Sequence, residues 1–134
     1  MNASSVDIKE MLEDFGDSSG ISVTFGSNLF IGLEPDKPDN CVTIFDTPSM
    51  TPQLTLEGTA QYEYPSVQIR VRNNNYVTGW ALINDIKNAL HGRAQETWNS
   101  TLYSVIYVSS GPAMLDWDEN GRVRFILNLN IQRR

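Results

Sequence analysis

The stretch "YEYPSVQIRVRNNNY", residues 62–76, decides the fold. In an extended chain it places Val67, Ile69 and Val71 on one side and Gln68, Arg70 and Arg72 on the other, because successive strand side chains point to opposite faces. The apolar side must meet a core. Two arginines side by side on the polar side pose the functional question. The design returns near the C-terminus, where Val123, Phe125, Leu127, Leu129 and Ile131 alternate with Arg124, Ile126, Asn128, Asn130 and Gln132. Two strands of one pattern imply a sheet covered on one face only.

Working outward, Asn73 to Asn75 supply turn and capping chemistry for a helix, "YVTGWALINDIKNALHG". Trp80, Ile83, Ile86 and Leu90 share one face of it, Leu82 and Ala89 lie alongside, and Gly92 is placed to stop it. An earlier helix is predicted after Ser4 or Ser5, with Asp7 in its first turn. Ile8, Met11, Leu12 and Phe15 fall on its apolar face, and Gly16 ends it. "ISVTFGSNLFIGLEP" reads as a hairpin broken at "GSN", "EPDKPDN" as a turn-rich loop, and "CVTIFDT" as a strand. Residues 47–61 hold two prolines and no strong period, so a long flexible connection is expected, with at most a short strand near Leu54. The last third reads as "STLYSVIYVSS", "PAMLDWD", a turn at "DENG", and the final strand. The order of elements predicts an α+β domain: a mixed, mostly antiparallel sheet with two helices packed on one face. The other face is expected to stay wet, carrying Arg70, Arg72, Arg122 and Arg124.

The 134 residues fit a single domain, 1–134, with no composition break. No run approaches the length of a membrane span, and the N-terminus does not read as a signal peptide. The single cysteine, Cys41, lies in an apolar run and is expected to pack as a small hydrophobe in a reducing cytoplasm. A net charge of −6 repels polyanions, so tight grip on DNA or RNA would require local basic clustering.

Chemical centres are sparse. In "DWDENG", Asp116, Asp118, Asn120 and Gly121 match the opening of a calcium loop, but Leu127 stands where the twelfth-position glutamate belongs and the flanks read as strands. A hairpin turn explains the same letters. His91 is the only histidine and sits near a helix end, where contact with terminal carbonyls is the ordinary role. Phosphate-loop, dinucleotide and CxxC signatures do not occur in the chain. Acids such as Asp39, Asp46 and Glu63 are available for two-carboxylate hydrolysis, but nothing selects them. Asn99 begins an "NST" sequon, which chance accounts for in a chain read as cytoplasmic. Tyr62, Tyr64, Trp80, Trp98, Tyr103, Tyr107 and Trp117 are expected in core and sheet packing, with some flanking an interface.

A long irregular loop, an Arg- and Asn-rich strand face and no chemical centre suit a protein whose work is assembly, though an exposed arginine also serves solubility and edge protection. The run "LFIGLEPDKPDNCVTIFDTPSMTP", followed by "YEYPSVQIRVRNNNYVTGWALINDIKNALHG" and more loosely by "DENGRVRFILNLNIQRR", resembles the tail terminator (tail completion, minor capsid) proteins of long-tailed phages. The resemblance implies a structural virion protein of the tail neck, not an enzyme and without cofactor, metal or membrane. Such a protein assembles in the host cytoplasm. Its implied partners are copies of itself in a hexameric ring, the tail tube protein and a head completion or stopper protein, with DNA only passing through the channel. Arg70 and Arg72, then Arg124, are expected at subunit or tube contacts, and Met50 and Leu54 in a segment that orders on docking. The alternatives are a head-side stopper or adaptor of the connector and, in a different class, a small acidic-site hydrolase or ligand-binding domain.

Overall fold

The computed structural model describes residues 1–15, 21–50 and 62–134. Its elements are α1 (Ser4–Phe15), β1 (Leu29–Ile31), β2 (Cys41–Met50), β3 (Tyr64–Asn73), α2 (Tyr76–Leu90), β4 (Ala94–Trp98), β5 (Thr101–Trp117) and β6 (Val123–Arg133). They form one six-stranded sheet in the order β1-β2-β3-β6-β5-β4. Only β1 and β2 run parallel. Both helices contribute to a single core on one face of the sheet, so the expected α+β class and layering hold.

The two patterned strands pair with each other. Ile69 is in register with Leu127 and Val67 with Leu129, so their apolar sides merge beneath the helices. Ile8, Met11 and Leu12 of α1 and Ile83, Ile86 and Leu90 of α2 close the core from above, all fully buried. The Asn75 side chain caps α2 by accepting the Thr78 N–H at 3.0 Å. Gly79 lets the helix approach the sheet closely, since a Cβ there would lie 2.7 Å from the Phe125 ring. Trp80, expected inside, instead lies edge-on to Phe125 and remains 41% exposed.

Polar side chains tether α1. Asp46 on β2 accepts the Ser5 N–H at 3.1 Å and the Ser5 hydroxyl at 2.6 Å. The buried Asp7 carboxylate accepts the Tyr103 hydroxyl and the Asn99 amide. Burial, then the bond to Asp7, pushes the Tyr103 phenol well above its ordinary range. Residue 16, where a helix stop is expected, lies outside the described residues.

Four local expectations need correction. The segment around "GSN" is a tight turn in which Thr24 O accepts from Ser27, Asn28 and Leu29. It leads into β1, which joins β2 in parallel, so no antiparallel hairpin forms there. The expected connection at 47–61 begins as strand: Thr47 and Met50 are registered to Ser66 and Tyr64 in β2 and β3, while residues 51–61, with Leu54, lie outside the described residues. "STLYSVIYVSS" and "PAMLDWD" are one strand, β5, because its pairing with β6 resumes after each of several bulges. Finally, "AQETW" forms β4, which the sequence reading left out. Asn99 and Ser100 turn it into β5 with φ of 50° and 63°, so the sequon letters serve a hairpin turn.

Candidate assembly surface

The polar sheet face is half covered. Residues 34–39 fold back over the end that carries the C-terminus of β3 and the start of β6, and three arginines hold them there. Arg72 is 3% exposed and donates to the carbonyls of Asp36, Pro38 and Asp39 at 3.2, 2.7 and 3.1 Å, and to Glu34 Oε1 at 3.3 Å. Arg124, directly opposite it on β6, pairs with the same Glu34 oxygen at 3.3 Å and with Asp116 at 3.6 Å. Arg122 pairs with Asp118 at 2.6 Å and with Asp36 and Asp39 at 3.2 Å. Two adjacent guanidiniums on paired strands would repel; Glu34 between them reverses the sign of that interaction.

Arg72 and Arg122 are therefore not solvent-facing. Arg72, expected at a contact with another molecule, directs its hydrogen bonds to the loop that covers it, three of them to backbone carbonyls. Cys41 lies under the same cover at 3% exposure, and burial raises its thiol pKa, as expected of a small packed hydrophobe.

The other end of the face is open. Across it runs a ladder of neutral polar side chains: Ser66 to Asn130 at 2.8 Å, Gln68 to Asn128 at 3.1 Å, and Asn128 to Ser110 at 2.8 Å. Arg70 stands at its edge, half-buried. Its guanidinium lies 4.9 Å from the Phe45 ring centre and donates to Gln68 Oε1 at 2.9 Å. Its Nε is buried without a hydrogen-bond acceptor, and it forms no ion pair among the described residues.

The remaining candidates resolve into structure. "DENG" is a turn organised by Asp118, whose carboxylate accepts the N–H groups of Asn120 and Arg122 and the Arg122 guanidinium. Burial would raise the Asp118 pKa, but these bonds outweigh it and hold the carboxyl below its usual value. The shallow cleft beside the turn mixes Asp36, Asp116, Asp118 and Glu119 with Arg122 and Arg124. No group of three or more His, Cys, Asp or Glu side chains is placed to hold a metal ion among the described residues. The His91 ring turns to the sheet, where its Nδ1 accepts the Val108 N–H at 3.0 Å, while the His91 backbone N–H donates to Lys87 O and caps the helix. Asp39, Asp46 and Glu63 serve three separate contacts, with Lys37 and Arg122, Ser5, and Arg133 respectively. No helix among the described residues is long and apolar enough to cross a membrane.

The conspicuous features of the domain are an ion-paired loop and an open polar sheet face. The sequence profile of the bacteriophage tail terminator protein family matches residues 11–134. The chain belongs to that family, and it is a structural protein of phage tails, not an enzyme. Its place is in the virion, in assembly with other phage structural proteins. No curated protein gives a match. A chain in a solved virion of a native gene transfer agent particle shares the fold, with a TM-score of 0.62, 11% identity, and coverage of 98% of this chain and 94% of that one.

Proposed function

We propose that this chain ends tail growth by closing as a hexameric ring on the tail tube, and that the opposite side of the ring receives the head completion or stopper protein. The observation that carries the reading is the family match over residues 11–134. The open half of the sheet face adds support: it is already hydrogen-bonded within itself and edged by an arginine without an ion partner among the described residues. Arg70 pairs with a carboxylate of the tube or of a neighbouring subunit, and the 24% of Arg124 left exposed makes it the secondary contact. Met50 and Leu54 remain expected docking residues on sequence grounds. A charge of −6 per copy makes a ring that repels DNA from its wall and lets it pass.

The test uses tails assembled without this protein. Added chain should fix tail length and close the tube end in electron micrographs, and Arg70→Glu should lose that capping. An unchanged length distribution with the native chain refutes the reading.

A further inference from the structure

β5 is longer than the strand beside it. On its outer side β4 covers only residues 101–105, and the chain entering β4 adds bonds at Ile106, from the Gly92 N–H at 2.8 Å and to Arg93 O at 2.9 Å. The Val108 N–H, bonded to the His91 ring, is the last backbone group of that side with a partner among the described residues. From there to Trp117 the strand pairs with β6 alone. Gly111, with φ of 92°, Pro112 and the bulges on either side of Ser110 guard the first part of this edge. Residues 113–117 hold no proline and no basic side chain; one carboxylate, Asp116, and one bulge at Leu115 are their guards. Alternate residues of a strand aim N–H and C=O groups away from the paired side, so this stretch offers free main-chain donors and acceptors.

The two sides of the edge differ. Met114 is registered to Phe125 and Trp117 to Val123, both core residues, so these side chains stand on the helix side. There Tyr76 stacks on Trp117 at 6.3 Å and meets Phe125 edge-on at 5.0 Å, and Trp80 lies against the same ring at 5.8 Å. Tyr76, Trp80, Met114 and Trp117 form an aromatic corner, each at least 41% exposed. Asp116 is registered to Arg124 and stands on the other side, beside the shallow cleft. In that cleft four acids outnumber two arginines that are themselves ion-paired, so this side is acidic.

We propose that residues 113–117 receive an extended segment of the head completion or stopper protein as an added strand, its apolar side chains on the aromatic corner and its alternate lysines or arginines over the acidic side. Main-chain groups without partners call for an extended chain, and the two sides of the edge set its alternation. A second copy of this chain has no such segment to give among the described residues. The outer side of β1 is taken at Leu29 by Thr24 and Gly26, β4 carries Glu96 and is turned by Gln95 at φ of 55°, and two β5 edges would set acid against acid. Position selects the partner. Met50 is registered to Tyr64 at one end of the ten-residue β3, whereas Trp117 reaches Asn73 at the other end through Val123, roughly 30 Å away. The inference rests on the ring reading above with the Met50 end on the tube, which leaves the Trp117 end facing the head side.

The test uses the full chain and the purified head completion protein of the same phage. When that protein binds, amide hydrogen exchange of the native chain should slow at least about tenfold within residues 113–117, because an added strand bonds those N–H groups. Leu115→Lys puts on the exposed edge the charge that commonly guards one. It should melt as the native chain does, bind the head protein at least about tenfold more weakly, and still fix tail length while its tails fail to join heads. No binding by the native chain, binding without slower exchange at 113–117, full-strength binding by Leu115→Lys, or slowing produced by self-association alone overturns the proposal. Tails of fixed length with this edge unprotected leave the terminator reading standing. Slowed exchange here with tail growth unchecked does the reverse.

Discussion

On β3, Arg72 lies under residues 34–39 with four hydrogen bonds to them, while Arg70, two residues earlier on the same face, has one bond to a glutamine and a ring beneath it. Strand periodicity treats the two alike. They differ because a returning loop crosses one end of the face and leaves the other bare. A side chain's face is a local property, whereas its exposure depends on what the rest of the chain lays over it.

Arg72→Ala is the severest way to break this contrast. It takes from Glu34 one of its two arginines and from the Pro38 and Asp39 carbonyls their Arg72 donors, and breaking a buried ion pair costs about 3–5 kcal/mol, so the urea midpoint should fall sharply. A midpoint close to the native one would mean the covered end behaves like the open one. Asp118→Asn should cost less at neutral pH, and its effect should fade in acid. The folded pKa of Asp118 lies below its ordinary value of 3.8, so its contribution is present above about pH 4 and is lost as pH falls through the lowered value. Unfolding curves of variant and native chain should therefore converge at low pH. Arg70→Glu should change stability least, by about 1–2 kcal/mol for the lost ring contact and hydrogen bond, while abolishing capping. Pairing it with a substitution at Arg72 would confound the two ends.

The alternations at residues 67–71 and 123–131 made the central strands legible, because a period of two over that length has one physical solution. The helices were legible from their apolar faces and from Asn75. β4 was not: its five residues are mostly exposed, so its hydropathy carries no burial signal. The Asn-Ser pair that turns it into β5 was the available sign, and its resemblance to a sequon masked it. β5 was divided at "SSGPA" because glycine and proline usually end strands, yet its partner β6 continues and carries the pairing past the bulges. At the candidate surface, Arg70 was legible as an exposed-face arginine. The burial of Arg72 and Arg122 was not, since it depends on contacts spanning 33 to 86 residues of sequence. The aromatic corner was half visible: Trp80 and Trp117 were noted singly, and only the register of β5 brings the latter beside α2.

The cover over Cys41 has a practical corollary. As the only thiol in the chain, and one screened from solvent by residues 34–39, its rate of alkylation times how often that lid lifts. Comparing free protein with capped tails by this chemistry would report whether docking clamps the loop, without introducing any label.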